Sequence, residues 1–275
     1  MNLVWALLVI AAVTAVAVAA MLWVRRGAPE GSRFQDGDRA SGVFGVLATG
    51  FSVLLGFIVF LAFESYDQSR SGAETEALVL AQQVQTAQFL GEPVAATLTG
   101  QLICYGRSVV QIEWPRAIDG TLGDHINPWG VELFETIQSA RLSTPAREAA
   151  YGKWLDQTSE REAARSDRIH GAVGVIPTPL WVVLFFIAIV IFVYTLFFAD
   201  SAEGAVTQGV LMGSVVSVIV AMLLLIRFLD SPFHEDVGGV KPVAMERTLT
   251  IIDESLGAVG ARVHTPCDEH GNPTS

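Results

Sequence analysis

Four windows of the chain carry no charge over the thickness of a bilayer, and they divide it. Leu3–Val24, Gly42–Phe63, Leu180–Ala199 and Ala205–Ile226 each approach or exceed the roughly 20 apolar residues that a helix needs to cross a hydrocarbon core. Between the second and third windows lies one long polar block, Ser65–Thr178, whose apolar positions recur with helical period and never alternate as in a strand. The pattern predicts an all-α, multi-pass membrane protein with four transmembrane helices and a helical extramembrane block. Residues 1–64 hold the first two spans, 65–178 the block and 179–228 the last two spans; 229–258 form an acidic turn with an amphipathic helix, and 259–275 a disordered tail.

The first window has no basic stretch before it, runs longer than the apolar region of a signal peptide and is followed directly by Arg25-Arg26, so it reads as an uncleaved span. Trp5 and Trp23 fall near its two ends, as interfacial aromatics do. The second window is unlike the others, because its period continues past Phe63 through Glu64, Asp67, Glu74 and Glu76 with no proline and the single glycine Gly72. Within it Ala48, Ser52 and Gly56 fall four residues apart, a stripe of small side chains where helices approach closely. Thr49, Val53 and Phe57 form the adjacent ridge. A ring of such helices would point that ridge at an axis, and Glu64, Asp67, Glu74 and Glu76 would extend it into a charged mouth, with Glu64 and Asp67 nearest the membrane.

In the block, Ser65–Leu90 continues the second span and Gly91-Glu92-Pro93 breaks it. Val94–Glu113 is amphipathic and ends at Pro115; Gly130–Arg141 is a short helix; and Thr144 is an N-cap with Pro145 at the first helical position of a helix reaching about His170. The charges of that last helix, Arg147, Glu148, Lys153, Asp156, Glu160, Arg161, Arg165 and Arg168, read as a solvated face. Only Asp200–Glu203 separates the third and fourth windows, which makes them an antiparallel hairpin.

A net charge of −11 argues against nucleic acid as a partner, and no polybasic patch addresses anionic lipid. Asp230, Glu235 and Asp236 place carboxylates where the fourth span ends; they suit either a hard cation such as calcium or the capping of a turn. His125 beside Asp124 reads as a turn residue, and the tail cluster His264, Cys267, Asp268, Glu269 and His270 lacks the rigid elements that fix a metal site. There is no phosphate loop, nucleophile elbow or His-Glu metal helix, so the chain is not expected to be an enzyme. Cys104 and Cys267 have no ligand-like spacing and are read as free thiols.

Two patches carry a resemblance. Ser52-Val53-Leu54-Leu55-Gly56-Phe57-Ile58-Val59, followed by Ser65-Tyr66-Asp67-Gln68, resembles the pore helix of bestrophins, and Asp230-Ser231-Pro232-Phe233 with Glu235-Asp236 resembles their segment after the last span. The order of parts matches too, and with Glu113-Trp114-Pro115 the whole chain looks like the bacterial bestrophin-like family. The resemblance implies a homopentameric ion channel in the cell membrane that conducts chloride or other anions, with Thr49, Val53 and Phe57 in a hydrophobic neck and calcium held by Asp230, Glu235 and Asp236. The chain departs from bestrophins where Glu64-Ser65-Tyr66 replaces a basic and aromatic run and where Gly238-Gly239 interrupts the acidic run. These departures weigh against anion selectivity and calcium gating, and a ring of Glu64 carboxylates would favour monovalent cations.

Bestrophins keep both termini and the helical block in the cytoplasm. Arg70, Arg161, Arg165, Arg168, Arg227, Lys241 and Arg247 on that side agree with this, while Arg25, Arg26, Arg33 and Arg39 in the first loop oppose it. A cytoplasmic block is the resulting expectation. The competing function is a non-conducting membrane scaffold or sensor whose block binds a protein partner.

Overall fold

A computed structural model describes residues 2–31, 33–122, 126–258, 260 and 263–274. Among them are nine α-helices and no strand, and they form two compact units, 1–65 with 174–230 and 66–173 with 231–275.

The first unit contains four helices long and apolar enough to cross a membrane: α1 (Leu3–Arg25), the start of α2 (Gly37–Ala87), α7 (Thr178–Phe197) and α8 (Ala205–Leu229). Asn2 caps α1 by accepting the N–H of Val4. Trp5 and Trp23 are both exposed near the ends of α1. Helices α1 and α8 pack closely, the position of a Cβ at Gly209 or Gly213 lying 3.4 Å from the methyls of Val18. On α2, Phe51, Leu55 and Ile58 are buried with Leu184, Ile191, Leu223 and Ile226. The loop after α1 is fixed to the α7–α8 hairpin. Arg25 donates to the carbonyls of Ser201 and Glu203, and Phe34 and Phe44 stack on Tyr194 at 5.3 and 5.7 Å.

The second unit comprises the rest of α2, α3 (Val94–Ser108), a π-helical turn (Val109–Glu113), α4 (Trp114–Ile118), α5 (Pro128–Gln138), α6 (Pro145–His170), a 3-10 turn (Gly171–Val173) and α9 (Val243–Ala258). Its core includes Leu80, Leu98, Leu102, Trp114, Trp129, Leu133 and Trp154. Thr144 caps α6 through Arg147, with Pro145 in the first turn, as its sequence predicts. The one glycine in this stretch of α2 has a packing reason: a Cβ on Gly72 would lie 2.5 Å from the backbone nitrogen of Arg168 and 2.7 Å from the carbonyl of Ala164.

Three expectations are corrected here. Pro115 does not end the helix begun at Val94. The backbone widens into the π-helical turn, Trp114 bonds the carbonyl of Val109 five residues back, and helix resumes with Pro115 in its first turn, where the missing N–H costs nothing. The tail is not disordered over residues 263–274. Trp129 Nε1 donates to the Gly271 carbonyl at 2.7 Å, Arg107 donates to the Asp268 carbonyl at 3.3 Å, and Gly271, at φ +83°, lies against the backbone of Ser108. Because the tail returns over α3 in this way, Cys104 and Cys267 are not free thiols; they form a disulfide.

Candidate functional site

The α2 ridge is uncovered in the single chain. Thr49, Val53 and Phe57 all face outward, with Val53 67% and Phe57 65% exposed, while Phe51, Leu55 and Ile58 on the opposite face are buried. Ala48, Ser52 and Gly56 border an apolar groove completed by residues of α7 and α8, among them Ile191 and Val215, and no atom comes within 4 Å of the position of a Cβ on Gly56. The close approach that this small stripe permits is therefore not used within one chain. Glu64 and, further along α2, Asp67 are exposed, and the next basic residue, Arg70, pairs with Glu74 at 3.2 Å. Along its uncovered side α2 thus presents an apolar ridge and, beyond it, exposed carboxylates.

The carboxylates after α8 fall in both units: Asp230 ends a segment of the first, and Glu235 and Asp236 belong to the second. Asp230 accepts the backbone N–H groups of Val175 and Ile176 at 2.7 and 2.9 Å beside Gly174, which has φ +75°. It thus closes the turn that leads into α7. In the second unit, Phe233 is buried edge-on against Trp114 at 5.4 Å. Trp114 donates to the Val240 carbonyl at 3.3 Å and Tyr66 to that of Gly238 at 2.6 Å, so two aromatic donors hold the turn containing the exposed Glu235 and the half-buried Asp236. Among the described residues no group of three His, Cys, Asp or Glu side chains is arranged to hold a metal ion.

Sequence reasoning missed a buried charge cluster. Arg168 lies 2.5 Å from both Glu76 and Glu113, all three fully buried. Tyr105 donates to Glu76 at 2.6 Å, Asn127 to Glu113 at 3.0 Å, and Arg165 reaches Glu113 at 3.3 Å. Arg161, 1% exposed, donates to Gln83 and stacks over Tyr105. Glu76 therefore belongs to the core rather than to a charged mouth, and Arg161 and Arg168 do not lie on a solvated face. A signal existed: Ala150, Trp154, Gln157, Arg161, Ala164 and Arg168 recur every three or four residues and form the buried stripe of α6.

Electrostatics keep Glu113 and Arg168 ionised. Burial opposes charge on Glu113, but Arg168, then Arg165, outweigh it, and hydrogen bonds from Arg168 and Asn127 add to them, so its pKa falls below the ordinary value. Burial opposes charge on Arg168 as well, yet Glu76 and Glu113 raise its pKa. Burial, then the charge of Glu76, pushes Tyr105 well above its usual range, which keeps its hydroxyl a donor.

Of the remaining candidates, His125 lies outside the described residues. Asp268 accepts the N–H groups of His270 and Asn272 and the side-chain amide of Asn272. Its carboxylate closes the tail turn, and these bonds lower its pKa, the Asn272 amide foremost.

No curated protein sequence matches the chain. Solved structures do. A bacterial bestrophin homolog from Klebsiella pneumoniae matches at 13% identity over 95% of this chain and 100% of its own, with a TM-score of 0.64. A single-site variant of it matches at 11% identity over 92% and 98%, with a TM-score of 0.67. At such low identity the likeness establishes the fold alone. The Bestrophin-like domain matches residues 3–245, nearly the whole length, and the chain belongs to the bestrophin-like family of membrane proteins.

Proposed function

We propose that the protein is a homo-oligomeric channel for small ions, with α2 from each copy lining the pathway. The reading rests on one observation: in a chain of this family, α2 leaves the ridge Thr49–Val53–Phe57 uncovered while burying its opposite face. By resemblance the oligomer is a pentamer, the ridge is its hydrophobic neck, and Glu64 with Asp67 forms its mouth. The carboxylates of that mouth raise the local concentration of cations, so monovalent cations are favoured over chloride.

The test is the reversal potential of the purified oligomer in a planar bilayer under asymmetric potassium chloride, with its mass measured in the same preparation. A reversal near the potassium potential supports the acidic mouth. One near the chloride potential keeps the channel and removes Glu64 as a selectivity ring. Silence from a well-formed oligomer transfers the assignment to a scaffold whose block binds a protein partner.

A further inference from the structure

We infer that the helical block, residues 66–173 with 231–275, folds on the non-cytoplasmic side of the membrane, opposite to the orientation that the resemblance implies. Two independent observations point the same way.

The first is the Cys104–Cys267 disulfide, which joins positions 163 residues apart. Disulfides persist in oxidising compartments, whereas cytosolic thiols are kept reduced. This bond is part of the packing. Cys104 is fully buried on α3 and Cys267 nearly so. The tail around them is seated on Gly100 through His264, on Trp129 through Gly271 and on Arg107 through Asp268. Its formation balances with a protein disulfide as oxidant. The Cys104 thiolate attacks that disulfide and releases one of its thiolates. The Cys267 thiolate then attacks the Cys104 sulfur and releases the second. Two cysteine thiols lose two protons and two electrons, and the oxidant becomes a dithiol.

The second observation is the placement of arginine. Residues 1–24 contain no Lys or Arg, whereas Arg25 and Arg26 follow the first span directly and Arg33 and Arg39 precede the second. Basic residues in short loops mark the cytoplasmic side, and the first span usually dominates. The loop between α7 and α8 lies on that same side by span count, and direct contacts agree: Arg33 N–H bonds the Phe197 carbonyl and Ser201 N–H the Pro29 carbonyl. The arginines of the block carry little weight, because long domains translocate largely regardless of charge. Arg161, Arg165 and Arg168 are in any case engaged by Gln83, Glu76 and Glu113.

The inference does not depend on ion conduction, and its test reads orientation alone. Single cysteines are added to the otherwise unchanged full chain, Glu160→Cys on the exposed side of α6 and Glu30→Cys in the first loop, and spheroplasts are treated with a membrane-impermeant maleimide. The expected result is labelling of the Glu160→Cys chain in intact spheroplasts and of the Glu30→Cys chain only after lysis. The unsubstituted chain, denatured after acid quenching, should show two reactive thiols only once it has been reduced. The mirror-image labelling, or two free thiols without reduction, overturns the inference. A chain that labels as expected yet passes no ions loses the channel reading and keeps its orientation.

Discussion

The guanidinium of Arg168 is shared between Glu76 and Glu113, with a nitrogen 2.5 Å from a carboxylate oxygen of each and no solvent access to any of the three. One cation thus joins α2, the π-helical turn and α6. Removing the shared cation leaves two buried carboxylates facing each other without it. Arg168→Met is expected to destabilise the protein by about 3–5 kcal/mol, the usual cost of removing one partner of a buried ion pair. Thermal unfolding of the detergent-solubilised protein checks this; a change under about 1 kcal/mol would mean that water enters the cluster.

The same cluster sets a pH dependence. The folded pKa of Glu113 is depressed, so its stabilisation is present in full above the ordinary carboxyl value of 4.5 and is lost as pH falls through the lower folded value. The melting temperature is expected to change little on this account from pH 8 to 5 and to drop below about 4. A loss beginning near neutrality would point to histidine titration instead.

Phe57→Ala widens the proposed neck and is expected to raise single-channel flux in bilayers, with the oligomer's mass unchanged. If flux is unaltered in an intact oligomer, Phe57 does not line the pathway.

Gly72→Ala places a methyl group against the backbone of α6 rather than against a movable side chain. An overpacking cost of about 1–3 kcal/mol is expected, together with faster hydrogen exchange in the peptide spanning Arg161 to His170. A substitution without effect on either would show that α6 shifts freely.

The sequence was legible where local chemistry decides the outcome. Thr144 and Pro145 begin α6, the uncharged windows become the membrane helices, and α2 continues past Phe63, each dictated by residues within one element. It was not legible where distant partners decide. Arg168 reads as a surface charge until Glu76, 92 positions away, is known to face it. Cys267 reads as part of a loose tail because what holds it, Cys104, Trp129 and Arg107, lies on other elements. The ridge on α2 was readable from spacing, whereas the use of Asp230 to close the turn into α7 was not, since the N–H groups it accepts, those of Val175 and Ile176, lie 55 and 54 positions away.

The contact of Val18 with Gly209 and Gly213 constrains how the protein is made. Helix α1, which ends at Arg25, packs against α8, which begins only at Ala205. During synthesis, therefore, Thr14 and Val18 contact lipid in place of Gly209 and Gly213 until the whole block has been translated.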